Sequence, residues 1–387
     1  MYQALLIFAA SGVTAALACP LVIALAHRIR ALDLPGPRKV HLQPIPRLGG
    51  LAVFAGFIAG VALAAHLGGV LFSDAYVTVY WYALAAAAAL MFFAGLVDDI
   101  RGLSFVSKFA VQIAGAVAVW LGGFRIDVVS LPLISESIDL GAWSLPVTVF
   151  WIVAVTNAIN LIDGLDGLAA GVALIIASSV ATIAAFRGFY GVVAASVALV
   201  GALAGFLVYN FNPARLFLGD SGSLFLGFVI AVVSIRSSQK GTTAVAVVTP
   251  LLIVGLPILD TALAVARRSV RLGRAGLRQD DPVRYLLGNV RVLFHADRGH
   301  IHHRLMDLGL THRGSVLTLY ALALALALGA LSDVFLSSLK LAVVLIATLW
   351  ILITAFVAWI LWRRRNRLAR LRRDSTVPAP AGGARDH

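Results

Sequence analysis

Two adjacent aspartates, Asp98 and Asp99, close an almost uncharged run in "FFAGLVDDIRGLS" (92–104). An ionised aspartate costs about 2.5–3.5 kcal/mol at the centre of a bilayer and little at a helix end that meets water. Adjacent carboxylates repel, and neighbouring helix positions point about 100° apart. One of the pair could therefore face a cation or take a proton while the other contacts something else. Alone, the pair reads equally well as solvated end charges.

Three further stretches carry the same kind of chemistry. In "NAINLIDGLDGLAAG" (157–171), Asn157, Asn160, Asp163 and Asp166 recur every three residues, with Gly164, Gly167 and Gly171 between and after them. That spacing spreads two amides and two carboxylates over about half of a helix surface, and the glycines allow a ligand to approach closely. The set suits hydroxyl, base-edge or metal ligation; helix-end capping is the plain alternative. In "FNPARLFLGDSGSLFLG" (211–227), Asp220 stands in a glycine-flanked helix start. Free N–H groups and a positive dipole end favour an anion there, and Asp220 could hold a hard cation. Mg²⁺ on a pyrophosphate fits, since Mg²⁺ uses one or two carboxylates plus phosphate oxygens; Mn²⁺ is the natural substitute. Phe217 could stack on a base or simply pack at the interface. In "HADRGHIHHRL" (295–305), Asp297, Arg298, His300, His302 and His303 come together. With no thiolate and no His-Glu-x-x-His order, a phosphate clamp fits better than zinc. Lys39, His41 and Arg47 in the first loop, and Lys108, could join the same anionic pocket. Asp260 reads as a structural partner for a buried group or as a catalytic acid.

These residues must be positioned by membrane helices. The 387-residue chain is 60% hydrophobic and 13% charged, far more apolar than a soluble core requires. A crossing needs about 20 apolar residues, and runs of that kind fall near 2–26, 48–68, 77–97, 105–123, 145–162, 168–186, 191–210, 223–236, 244–266, 315–333 and 340–362. The expectation is an all-α polytopic membrane protein of about eleven transmembrane helices, the eighth being short. Residues 1–26 lack a basic start and read as a retained span rather than a signal peptide. Residues 1–362 form one catalytic domain with a long cytoplasmic loop at 267–314, and 363–387 a basic tail. Partial alternation around Pro132 predicts a short external hairpin near 124–144.

Of the 31 Lys and Arg, all but Arg125, Arg187, Arg236, Lys240 and Lys340 fall on one face of this layout, which is then cytoplasmic. The net charge of +13 is thus a topology signal, and nucleic acid is not an expected partner. Cys19 is the single cysteine, which excludes an internal disulfide and a cysteine-cluster metal site. Every chemistry-bearing stretch opens on the cytoplasmic face. A soluble polyanion, Mg²⁺ and a lipid-borne second substrate are the matching requirements, met by transfer of a phosphoryl-linked group onto a lipid carrier. A transporter or flippase would place its acids near mid-span, and these lie at span ends. A homodimer is left open.

"VDDIRG", "NAINLIDGLDGLAAG", "FNPARLFLGDSGSLFLG" and "HADRGHIHHRL", in this order, resemble the polyprenyl-phosphate N-acetylhexosamine-1-phosphate transferases of glycosyltransferase family 4. The similarity runs from about residue 35 to 313. It implies a bacterial inner-membrane enzyme in which a polyprenyl phosphate, undecaprenyl phosphate above all, attacks the β-phosphorus of a UDP-N-acetylhexosamine and UMP leaves. It further implies Asp220 as a Mg²⁺ ligand, with Asn160, Asp163 and Asp166 lining the nucleotide and metal site. Asp98 and Asp99 become catalytic, Phe217 stacks on uracil, and His300, His302 and His303 meet phosphates or sugar. His-Ile-His-His and "QPIPRLGG" depart from the muramyl-pentapeptide branch, which carries three consecutive histidines and a Gly-Thr-Pro-Thr-Met-Gly-Gly-like loop. They favour the branch that uses UDP-N-acetylglucosamine, while other UDP-N-acetyl sugars such as fucosamine or quinovosamine remain alternatives. The Asp-Gly-x-x-Ala-Arg signature of the CDP-alcohol phosphotransferases is absent.

Overall fold

The computed structural model of the protein describes residues 2–35, 43–68, 77–130, 137–238, 248–276 and 300–335. The expected eleventh span, the basic tail, most of the 267–314 loop, and Lys39, His41, Asp297 and Arg298 lie outside the described residues.

The elements follow the apolar runs closely. They are α1 (Tyr2–Arg28), a two-residue β1 (Leu32–Asp33) and β2 (Ile45–Pro46), α2 (Gly49–Leu67), α3 (Val77–Arg101) and α4 (Phe105–Leu121). A hairpin of β3 (Val128–Ser130) and β4 (Ser137–Asp139) precedes α5 (Ser144–Ile162), α6 (Leu168–Phe186), α7 (Tyr190–Asn210) and α8 (Gly219–Ser238). Then come α9 (Val248–Ile253), α10 (Gly255–Gly276), α11 (Ile301–Asp307) and α12 (His312–Phe335).

The protein is an all-α polytopic membrane protein. Among the described residues, eight helices are long and apolar enough to cross a membrane, and α4 is a shorter apolar helix. The expected eleventh span, 340–362, lies outside the described residues, so this count covers only part of the expected eleven. Two differences have physical causes. The eighth run is not short: α8 starts at Gly219, because the polar Gly-Asp-Ser-Gly stretch is its first turn rather than a loop. The ninth run is two helices, α9 and α10, and α10 continues to Gly276 through a stretch rich in arginine.

At the centre stands α8. Of its most apolar 18-residue window, 83% is buried by protein, against 28% for α1. Helices α2, α3, α5, α6, α7 and α9 all pack against it, which is why its middle, Leu224–Val233, is apolar on every side. Around it, α1 packs on α2 and α7, α6 on α7, and α12 on α6. Close helix approach in lipid depends on small residues: a Cβ on Gly205 of α7 would lie 2.1 Å from the Gly12 carbonyl oxygen of α1.

At one end of the bundle β3 and β4 pair antiparallel, with Val128 opposite Asp139 and Ser130 opposite Ser137, as the alternation around Pro132 predicts. Trp120 Nε1 donates to Ser144 Oγ at 3.1 Å, and that hydroxyl donates to Asp127 Oδ1 at 2.8 Å. At the other end β1 pairs with β2. Here Phe217 N–H donates to the Pro46 carbonyl, and the Gly49 and Gly50 N–H groups donate to the Phe217 and Leu218 carbonyls, at 2.7–2.8 Å. This backbone strap fastens the start of α8 to the start of α2.

Candidate active site

Among the described residues, those that line the site lie at that second end, since the chain returns there at every other helix boundary. The end of α3 brings Asp98 and Asp99, the α5–α6 turn brings Asp163 and Asp166, and the end of α7 brings Asn210. Phe217 lies just before α8, Gly219 and Asp220 are its first residues, Asp33 comes from β1, Arg47 directly follows β2, His303 comes from α11 and His312 from α12. Together they line one cavity of about 400 Å³, within the usual range for a small-molecule site.

The adjacent aspartates diverge. Asp98 Oδ1 accepts the Leu103 N–H at 2.5 Å, and its other oxygen forms an ion pair with Lys108. The same Lys108 Nζ lies 2.5 Å from Asp220 Oδ2. One ammonium thus bridges carboxylates from α3 and α8. Asp220 Oδ1 accepts from Asn160 Nδ2 at 3.0 Å, and Asn160 also donates to Ser223 Oγ at 2.7 Å.

Asp99 is 4% exposed and turns inward. Its oxygens accept from the Asp220 N–H at 2.8 Å, the Ser221 N–H at 3.0 Å and Ser221 Oγ at 2.6 Å. It caps α8 from a neighbouring helix. The helix start that the sequence offered to a phosphate is therefore taken by a carboxylate of the protein itself. Gly219 makes room for it: its φ is +74°, and a Cβ there would lie 2.7 Å from Asp99 Oδ2 and 2.2 Å from the Arg47 carbonyl oxygen. Arg47 in turn donates to the Asp99 carbonyl at 2.5 Å.

The α5–α6 turn holds two carboxylates differently. Asp166 Oδ2 accepts from Asn212 Nδ2 at 2.8 Å and the Ala214 N–H at 3.0 Å, and His312 Nε2 lies 3.9 Å from Oδ1. Burial, and then the charges of Asp220, Asp99 and Asp166, push Asp163 up to about 8. The turn itself is fixed by Asn210, whose Oδ1 accepts the Gly167 N–H at 3.1 Å, and by the Tyr320 hydroxyl, which donates to the Gly167 carbonyl.

The donor set fits a hard divalent cation. Six aspartates (33, 98, 99, 163, 166 and 220) line one cavity, and a protein cation already sits between two of them. Among the described residues no three His, Cys, Asp or Glu side chains converge as a ready cage.

Other expected site residues are placed elsewhere. Asn157 faces α4, not the cavity: its Nδ2 donates to Gln112 Oε1 at 2.6 Å and to the Val153 carbonyl at 2.7 Å. His300 and His302 are 4% and 2% exposed and stand behind the cavity, while His303 lines it. Burial, reinforced by His303, brings His302 down to about 3, so it is neutral. Asp33, Asn210 and His312 line the cavity without having been singled out in the sequence. His312 follows Thr311, whose Oγ1 caps the next turn, and a histidine at a capped helix start on the charged face was the available signal.

Comparison with known proteins places this geometry. Residues 80–238 match the model of "Glycosyl transferase family 4". The chain is 37% identical over 361 residues to the "Probable undecaprenyl-phosphate N-acetylglucosaminyl 1-phosphate transferase" of Bacillus subtilis (strain 168), covering 93% of this chain and 90% of that one. It is 35% identical over 380 residues to the "Decaprenyl-phosphate N-acetylglucosaminephosphotransferase" of Mycobacterium leprae, with 92% and 91% covered. It is 28% identical over 316 residues to the "Undecaprenyl-phosphate alpha-N-acetylglucosaminyl 1-phosphate transferase" of Escherichia coli (strain K12), with 80% and 78% covered.

Proposed function

We propose, since the chain belongs to glycosyl transferase family 4 and is a glycosyl-1-phosphate transferase of polyprenyl phosphate, that its donor is UDP-N-acetylglucosamine and its acceptor undecaprenyl phosphate. The products are undecaprenyl-diphosphate-N-acetylglucosamine and UMP, the first membrane step of a cell-envelope polysaccharide. The enzyme sits in the bacterial inner membrane with its cavity toward the cytoplasm, the face on which the basic residues gather. The observation that carries the reading is the Lys108 bridge between Asp98 and Asp220 at a six-aspartate cavity. Phosphoryl transfer needs positioning and charge neutralisation rather than elaborate covalent chemistry, and the cavity supplies both.

Asp220 and Asn160 hold Mg²⁺ in this reading, and the ion when bound neutralises charge on the diphosphate. An alkyl phosphate has a second pKa of about 6, so near pH 7 the acceptor oxygen is already largely ionised. Asp98 takes any remaining proton and, with Lys108, aligns the acceptor. The acceptor oxygen forms its bond to the β-phosphorus, the bond to the bridging oxygen breaks, and the electron pair leaves on UMP. Phe217 offers its ring to uracil, Arg47, His303 and His312 meet phosphate oxygens, and Asp163 and Asp166 contact nucleotide or sugar. Asp99 shapes the site by holding the first turn of α8.

The test is UMP release by purified protein given Mg²⁺, undecaprenyl phosphate and a panel of UDP-N-acetylhexosamines. UDP-N-acetylglucosamine should be turned over best, with loss of release on chelation. Preference for a fucosamine, quinovosamine or muramyl-pentapeptide donor would overturn the sugar assignment, and no release from any donor would overturn the reaction.

A further inference from the structure

Asp260 of α10 is 2% exposed, and both its oxygens are taken by one short segment. Its Oδ2 lies 2.8 Å from His300 Nδ1, and its Oδ1 accepts the Ile301 backbone N–H at 2.7 Å. His300 is the N-cap residue of α11 and makes no side-chain cap bond of its own. Asp260 thus supplies from a distant helix the acceptor that α11 lacks. A carboxylate on Nδ1 also requires that this nitrogen carry a proton, which fixes the ring's orientation and form.

From α11 the contact passes directly into the cavity. His300 and His302 stack with ring centroids 5.7 Å apart and planes 8° from parallel. A Cβ on Gly164 would lie 2.7 Å from His302 Nε2, so the ring rests on the Asp163–Asp166 turn with no space between. That nitrogen makes no hydrogen bond among the described residues, and His303, the next residue, lines the cavity. The buried pair is therefore continuous with both the carboxylate turn and a cavity-lining histidine.

We infer that Asp260 is a positioning residue of the transferase: through His300 and the Ile301 N–H it seats α11 so that His302 packs on Gly164 and His303 faces the phosphate-binding cavity. Asp260 itself touches no substrate. The inference rests on the transferase reading, and wild-type protein assayed alongside separates the two. If wild type releases no UMP, that reading falls; if wild type turns over normally, the variants judge Asp260.

The experiment is steady-state UMP release in detergent, with thermal unfolding measured on the same samples. Asp260→Asn should lower kcat/KM for the UDP donor about 10²-fold, the scale of a displaced site residue, while leaving the unfolding midpoint near wild type. In a His300→Ala background the same change should add less than about threefold, because both act through one contact. His300→Asn, which keeps a donor where Nδ1 stands, should retain at least about tenfold more activity than His300→Gln, which keeps a nitrogen nearer Nε2. Asp260→Asn within about threefold of wild type, or losses that multiply fully with His300→Ala, would overturn the inference. Should Asp260→Asn not fold, the His300 pair decides: Gln equal to or better than Asn overturns it, and the reverse order upholds it.

Discussion

Gly95→Ala should disable the site from the far side of a helix without touching a charged group. Gly95 lies on α3, one turn before Asp99, where α3 crosses the first turn of α8. A Cβ there would stand 2.3 Å from the Asp220 carbonyl oxygen and 2.5 Å from both the Asp220 carbonyl carbon and Ser221 Cα, whereas ordinary contact begins at 3.4 Å. All three opposing atoms are backbone, so no rotamer can relieve the overlap, and the two helices must part by about 1 Å at this level. Overpacking of this kind costs about 1–3 kcal/mol of stability. The functional cost is of similar size: Asp220 is held at 2.5 Å from Lys108 and 3.0 Å from Asn160, and a displacement of about 1 Å can cost about 10²-fold in rate, roughly 2.7 kcal/mol. UMP release at saturating donor and acceptor should therefore fall about 10²-fold, with a modest drop in unfolding midpoint. Gly273→Ala on α10 is the control, since among the described residues nothing lies within 4 Å of its added Cβ; it should keep full turnover. Gly95→Ala within about twofold of wild type would refute the claim that α3–α8 packing sets the position of Asp220.

Two further outcomes follow from the same geometry. Lys108→Gln removes the ammonium between Asp98 and Asp220; turnover should fall at least tenfold while calorimetric Mg²⁺ affinity of the substrate-free protein rises, because two carboxylates lose their resident cation. Unchanged Mg²⁺ affinity would count against that bridge as the cation position. His302, lowered from 6.5 to about 3 by burial and by His303, stays neutral in the fold but takes up a proton when the chain unfolds. Its contribution is intact above pH 6.5 and is lost as pH falls from 6.5 toward 3, by about 1.4 kcal/mol per unit at most. The stability advantage of wild type over His302→Gln should shrink between pH 7.5 and pH 5.5 in thermal unfolding; an advantage that holds or grows would contradict the neutral, buried ring.

Much of this architecture was legible because lipid leaves few options. Apolar runs of crossing length become helices, and carboxylates gather where the helices end, so the four motifs of one face predicted a common site. Residue spacing could not say which neighbour each polar group would meet. Asn157 and Asn160 are three positions apart on α5, yet one turns to Gln112 of α4 and the other to Asp220 and Ser223 of α8. The division depends on which helices flank α5. Likewise, the α8 start looked like an anion site until Asp99, from α3, was found capping it. Asp260 was ambiguous for the same reason: its partner is 40 residues away. The break at Val254 was hidden because the sequence on either side of it, "PLLIVGLPIL", is apolar.

The Asp99 cap also orders the making of the protein. The first turn of α8 is finished by a carboxylate synthesised 121 residues before Asp220. While the ribosome is still producing α4 to α7, Asp99 has none of its three α8 donors, and the acidic end of α3 must wait at the water's edge, where an ionised group costs little. Arrival of α8 draws that end inward and, in the same movement, brings Asp220 to Lys108. The cap of α8 and the Lys108 bridge to Asp220 are thus completed together, so a chain that stops before α8 has neither.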